Sequence, residues 1–367
     1  MRSVFAAFAI GALTGCTGHG SKTSEHLADA NANMARVRAA TQYDLAYQQF
    51  RAGQLNEALT AADGVIELDP RVARGHLLRA RVLLELDRAE AALESAGAAS
   101  ELDPENAEVE YVRGIAFERL SRRPDAIESH RRAAALEPES AHFTLSVAEL
   151  LVDVGSLDEA IETLDDADDR GVTHPGFPQL RGHIALLQGN PDEALGWFRE
   201  AVVLRPEDSI LLEDLARAQI TTRRFDVAEL TLRRILDAEP NAHRPDLEHL
   251  RAACLIELDR PVEARTILRE LAGDEDPADD FDVSRRLSDV ALLMGDDALL
   301  LSSAQRMIAL SPGRAEGYLS LAVWKRKQGD HEGALATIEK ATGQPVPNRA
   351  AVALRRLILQ DLGRSDT

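Results

Sequence analysis

Apolar residues recur at three- and four-residue spacings in short runs, each broken by a glycine-bearing turn or a proline, so the pattern predicts short amphipathic helices from end to end. The runs keep register with one another. Ala58, Ala92, Ala126, Ala160, Ala194, Ala228, Ala264, Leu300 and Ala334 follow at 34-residue intervals, stretched to 36 on either side of Ala264. Twelve places before these marks stand Ala80, Gly114, Ala148, Gly182, Ala216, Ala252 and Ala322, and twelve places after stand Pro70, Pro104, Pro138, Pro206, Pro240 and Pro312. Proline ends the second helix of each unit because it has no N–H to donate and its ring blocks continuation. Gly53, Gly155, Gly189, Gly295 and Gly329 mark the turn between the two helices, so each unit reads helix, turn, helix.

The small residues have a mechanical reason: two helices cross closely only where neither side chain holds the backbones apart. Stacked units of this kind bury their core between neighbours and leave an extended surface, which favours binding over catalysis. With 45% hydrophobic but only 4% aromatic residues, and no long alternating β-branched runs, the chain should be entirely helical.

The period, with its order of small residue, small residue, proline, resembles the tetratricopeptide repeat family over roughly residues 39–347. Repeat five carries it best, with Leu180, Gly182, Ala194, Phe198, Ala201 and Pro206. Family aromatics are often replaced by Leu, Ile or Arg, repeats seven and eight are stretched, and Leu300 makes repeat eight the poorest match. The resemblance implies an all-α, right-handed superhelical solenoid of about nine repeats over 27–347, with a capping helix and tail over 348–367. The acidic, proline-bearing stretch 273–280 reads either as a hinge or as a longer surface turn. Residues 348–363, with Asn348 at the start and Gly363 at the end, form an amphipathic segment suited to capping the array, while Arg349, Arg355 and Arg356 leave open a docking role at a partner or a membrane surface.

Arg2 precedes an apolar stretch from Val4 to Leu13, which leads into Leu13-Thr14-Gly15-Cys16. This order resembles a bacterial lipoprotein signal, with residues 1–15 as the signal peptide and Cys16 as the lipidated first mature residue. The alternative is an ordinary secretory signal that contains a cysteine. Residues 16–26 are small and polar and read as a tether. Thr17, where retained lipoproteins often carry aspartate, implies attachment at the outer membrane facing the periplasm, with cell-surface display as the other possibility. The second cysteine, Cys254, lies in an apolar helix and reads as a buried thiol.

In the resembled family the concave groove is lined by the fifth, ninth and twelfth positions of each first helix. Counted from the marks, these are Tyr43, Tyr47 and Phe50, then Leu77, Arg81 and Leu84, then Tyr111, Ile115 and Glu118. Three of the four tyrosines fall on this face, which suits a peptide or helix ligand, and Arg74 with Arg81 would add carboxylate recognition. The competing reading is consensus packing or an end cap. The lysine and asparagine clamp of chaperone-binding relatives is missing.

A formal charge of −20 spread along the chain argues against nucleic acid as a partner. No phosphate loop, zinc helix, nucleophile elbow or Cys-x-x-Cys occurs, so neither catalysis nor a cofactor or metal is expected. His183 occupies a groove position with no partner evident in the sequence. Asp165, Asp166, Asp168 and Asp169 lack EF-hand spacing and oppose a helix C-terminus, suggesting an early helix end or a negative contact patch. The expected role is a membrane-anchored scaffold or assembly factor for an envelope complex, such as pilus or secretin assembly or exopolysaccharide export. The alternative is a periplasmic peptide-binding chaperone.

Overall fold

A computed structural model describes residues 19–238, 242–272, 277–342 and 349–364, and all regular structure among them is helical. Two compact units divide the chain at Thr173 and His174. The first contains α1 (His19–Arg51), α2 (Leu55–Leu68), α3 (Ala73–Glu85), α4 (Ala89–Leu102), α5 (Ala107–Arg119), α6 (Arg123–Leu136), α7 (Ala141–Asp153) and α8 (Leu157–Asp169). The second begins with α9 (Gly176–Leu187), α10 (Pro191–Leu204), α11 (Ser209–Thr221), α12 (Phe225–Ala238) and α13 (Pro245–Glu257). It continues through α14 (Pro261–Leu271), α15 (Pro277–Met294), α16 (Asp297–Leu310), α17 (Ala315–Lys327), α18 (His331–Thr342) and α19 (Arg349–Asp361). Within each unit, consecutive helices pair as hairpins, and each second helix also packs on the first helix of the next hairpin.

The marks explain this packing. In the first unit Ala58, Ala92, Ala126 and Ala160 have no exposed surface, and in the second the same holds for Ala194, Ala228, Ala264, Leu300 and Ala334. The cores bridge neighbouring hairpins: Ala80, Leu83 and Ala92 of one hairpin share a cluster with Val112 and Ala116 of the next. In the second unit Ala252, Ala264 and Leu268 share another with Val283, Leu287 and Val290. Repeat eight places Ser288, 2% exposed, where the other units have Ala or Gly, and Ser288 Oγ donates to Ser320 Oγ at 2.8 Å.

Every hairpin turn adopts the left-handed conformation, not only those with glycine. Gly53, Gly155, Gly189, Gly295 and Gly329 have φ between 66° and 81°, and Asp87, Ser121, Arg223 and Asp259, which hold the same turn position, have φ between 56° and 59°. In each case the following N–H reaches back five residues, as from Gln54 to Gln49 O and from Arg122 to Phe117 O, satisfying a carbonyl at the helix end.

Several sequence expectations change. Helix α1 begins at His19, so residues 19–26 are helical where a tether is expected; the remainder of that tether, Cys16 and the signal segment lie outside the described residues. Helix α8 runs through all four of its late aspartates to Asp169, so they do not end it early. Of the stretch 273–280, residues 273–276 lie outside the described part and 277–280 belong to α15. Helix α19 packs on α17 and α18, with Ala351, Leu354 and Ile358 against Ala322, Ala334 and Ile338. No described helix is long and apolar enough to cross a membrane.

Candidate functional site

In the first unit, α1 lies against α3 and α3 against α5, so side chains from three first helices share one face. Tyr43 and Tyr47 are one helical turn apart on α1 and stack, with ring centroids 6.3 Å apart and planes inclined by 7°. The Arg74 guanidinium on α3 sits 4.6 Å over the Tyr43 ring, a cation–π contact that fixes the tyrosine and extends the stack across two helices. Tyr43 is half-buried, Tyr47 is 38% exposed and Arg74 is exposed, so this ladder presents a planar, partly apolar surface to solvent.

The other predicted groove residues divide. Phe50 packs against the Ala46, Ala58, Leu78 and Val82 core, and Leu77 and Ile115 pack against the cluster around Leu83 and Val112. Leu84, only 7% exposed, is a core member rather than a ligand contact. Arg81 is paired with Glu108 of α5, so its charge is already answered within the protein.

Tyr111 is set among rings: its centroid lies 4.6 Å from that of His142, 5.4 Å from His130 and 5.5 Å from Phe143. Burial pushes its phenol above the usual range, against a hydrogen bond with Ser146 and beside Glu108, Glu118 and Glu149. His130 is buried and its Nε2 donates to Glu118 Oε1 at 2.5 Å, so the predicted groove residue Glu118, itself exposed, holds the imidazole. Burial also raises the Glu149 carboxyl, with His142 opposing and Asp153 and Glu118 reinforcing. The face therefore has an aromatic, cationic end at α1 and α3 and an aromatic, acidic end at α5 and α7.

In the second unit, His183 has a partner that the sequence does not reveal: its Nε2 lies 3.4 Å from Asp214 Oδ2, to which Gln179 also donates at 2.7 Å. A larger feature lies further along. A concavity of about 560 Å³ is lined by Ile256, Asp289, Leu292 and Leu293, and a second of about 320 Å³ by Asp289, Leu292, Leu319 and Val323. Shared walls at Asp289 and Leu292 make them one groove across α13, α15 and α17. Counting could have found it: Asp289 and Leu292 hold the ninth and twelfth positions of their helix, as Tyr47 and Phe50 do in α1. The aromatic signal drew attention to the first three repeats, whereas leucine at a groove position looks like leucine in a core. Among the described residues no group of three or more His, Cys, Asp or Glu is arranged to hold a metal ion.

Tetratricopeptide repeat profiles match residues 43–107, 111–173 and 185–253. Human tetratricopeptide repeat protein 7B is 29% identical over 103 residues, a match that covers 28% of this chain and 12% of that protein. Among solved structures, a tetratricopeptide repeat protein from Parabacteroides merdae is similar at 18% identity and a TM-score of 0.45, covering 69% of this chain and 98% of its own. YrrB, described as having an unusual peptide-binding site, is similar at 20% identity and a TM-score of 0.39, covering 47% of this chain and 89% of its own. With the 34-residue ruler, the buried small contacts and the left-handed hairpin turns in place, the chain belongs to the tetratricopeptide repeat family, whose stacked hairpins are scaffolds for protein–protein interaction.

Proposed function

We propose that this protein is a lipid-anchored scaffold that holds one dedicated protein partner beside the outer membrane, on its periplasmic side, within an envelope complex such as a pilus or secretin assembly or an exopolysaccharide exporter. The observation that carries the partner-binding half is the Arg74, Tyr43 and Tyr47 stack. The three side chains already stack on one another within the protein, so a partner that covers them has less side-chain entropy to remove than it would with three separate side chains, and tyrosine and arginine are among the residue types enriched at interface hot spots. The anchoring half is carried by the sequence Leu13-Thr14-Gly15-Cys16 after an apolar stretch. An acyl-bearing Cys16 would keep the first repeats near the bilayer, because α1 begins three residues later.

Affinity purification from crosslinked native membranes tests the binding half, comparing the wild type with a Tyr43→Ala, Tyr47→Ala, Tyr111→Ala variant whose helicity and melting are checked. One dominant envelope partner lost in the variant supports the reading. A partner retained by the variant moves the site elsewhere, and a spread of weak, unrelated clients favours a peptide-binding chaperone instead. Metabolic labelling with a fatty acid, with and without Cys16→Ser, tests the anchor; label that persists in the variant overturns it.

A further inference from the structure

We infer that the N-terminal half of α1 is a self-association surface, on which two copies of this chain pair as an antiparallel two-helix coil through Leu27, Ala30, Met34 and Val37. The surface is separate from the tyrosine face and does not depend on the lipid anchor. Residues 26–38 are helical and exposed, Ala35 excepted, and burial along α1 begins only at Ala39. A helical stretch of this length is marginal in water without packing. This one carries an open apolar seam, with Leu27, Met34 and Val37 58%, 57% and 66% exposed. Together with Ala30 they follow at intervals of three, four and three residues, the a and d spacing of a coiled coil.

The repeat register shows that a helix belongs on this face. Thr41 and Leu45, which continue the seam, stand seventeen and thirteen places before their mark and are exposed. In later units the same places hold Phe143 and Leu215, both buried. Phe143 packs with Ala133, and Leu215 with Leu195 and Phe198, in each case from the second helix of the preceding hairpin. Among the described residues no hairpin precedes α1.

A second copy supplies the missing helix. In an antiparallel pair Leu27 comes opposite Val37 and Ala30 opposite Met34, so each layer joins a larger side chain to a smaller one. The same alignment brings Asp29 of each copy level with Arg36 of the other, whereas a parallel pair sets like charges side by side. Neither group is committed to an ion pair among the described residues; Arg36 reaches only the Asn33 amide oxygen, at 3.4 Å. Although the chain carries −20, residues 26–38 hold one acid and two arginines. Antiparallel pairing leaves the acidic remainder of each copy at opposite ends of a seam about 15 Å long, beyond a Debye length of about 8 Å. A bilayer surface is a poorer match, because an a and d seam is narrower than the apolar face an interfacial helix buries.

The test is disulfide trapping in cells between two differently tagged full-length chains, one with Ala30→Cys and the other with Met34→Cys, with the unaltered chain controlling for Cys16 and Cys254. The expected product is the mixed-tag disulfide, in about fivefold or greater excess over either same-tag dimer. Adding Val37→Asp to both chains, at an exposed position that leaves melting unchanged, should reduce it by about tenfold, since pairing would bury the new charge. An excess of same-tag disulfide would make the pair parallel, a yield unmoved by Val37→Asp would reflect chance collision, and no disulfide would mean that the copies do not meet here; each overturns the inference. So does binding of the full chain to phosphatidylglycerol vesicles that Val37→Asp abolishes while no mixed disulfide forms, because a lipid surface would then be the occupant.

Discussion

The imidazole of His130 occupies the space that a β-carbon on Gly114 would need, with its Cε1 2.4 Å from that position. Phe198 stands in the same relation to Gly182, at 2.6 Å. Where the first helix carries Ala instead, the residue four places after the mark is an aliphatic or a second small one, as with Ala148 and Leu164, Ala216 and Leu232, or Ala80 and Ala96, all buried. Size is thus traded across these hairpins, glycine opposite a ring and alanine opposite an aliphatic or smaller side chain, with Ser288 opposite Ala304 in repeat eight.

That trade predicts the outcome of Gly182→Ala. Alanine is the better helix former by about 1 kcal/mol, yet the new methyl meets the Phe198 ring edge, and overpacking of this kind costs about 1–3 kcal/mol. The variant should therefore melt lower than the wild type, and adding Phe198→Leu should recover part of the loss. Urea midpoints for the two single variants and the double variant give the coupling directly. A Gly182→Ala protein more stable than the wild type would show that the ring simply moves aside.

The hairpin turns predict a gain. Ser121 is held at φ 57° with no hydrogen bond from its hydroxyl, in the position where five other units place glycine. A non-glycine residue in this conformation is disfavoured by roughly 1–2 kcal/mol, while glycine adds unfolded-state entropy that returns part of it. Ser121→Gly should raise stability by about 0.5–1 kcal/mol. Gly155→Ala, the opposite change at φ 81°, should lower it by a similar amount. A lower thermal midpoint for Ser121→Gly would refute the account.

How much of this was legible in the sequence follows from the same residues. The ruler marks and the glycine turns were, because stacking requires small residues at fixed spacing and glycine announces a left-handed turn. Asp87, Ser121, Arg223 and Asp259 were not legible as turns, since the hairpin imposes their conformation and their side chains give no sign of it. The tyrosine face was legible in position, but the packing of Leu84 into the core and the pairing of Arg81 with Glu108 depend on neighbouring helices. The groove at Asp289 and Leu292 was hidden because an apolar groove position and an apolar core position share one periodicity.

Cys254 makes a prediction about pH. Its side chain has no exposed surface, and burial, reinforced by Glu229, raises the thiol to about 11. The unfolded thiol ionises near 8.5, so between about 8.5 and 11 unfolding releases a proton, and stability falls as pH rises through that window. Below it, both states keep the proton and the residue contributes no pH dependence. The loss should reach roughly 2–3 kcal/mol at the upper end. Cys254→Ala should flatten the stability profile over this range. An equal slope in that variant would assign the effect to other groups, and rapid alkylation of the native thiol at neutral pH would contradict its burial.

Glu229 supplies the last prediction. Only 2% exposed on α12, its carboxylate accepts from Arg251 Nε at 3.0 Å and lies 3.7 Å from Arg260 Nη1. A carboxylate this deep is stable only while paired, because losing one partner leaves charge in a poorly solvated site. Arg251→Met should therefore cost about 3 kcal/mol, toward the low end for a broken buried pair because Arg260 remains. Glu229→Leu should cost less, since Arg251 and Arg260 keep a fifth or more of their side-chain surface in water and can turn toward it. Combining the two changes replaces the pair with apolar contacts, so the double variant should lose well under the sum of the two single losses. A double-mutant cycle at neutral pH measures this directly, and strictly additive losses would mean that the pair contributes no interaction energy of its own.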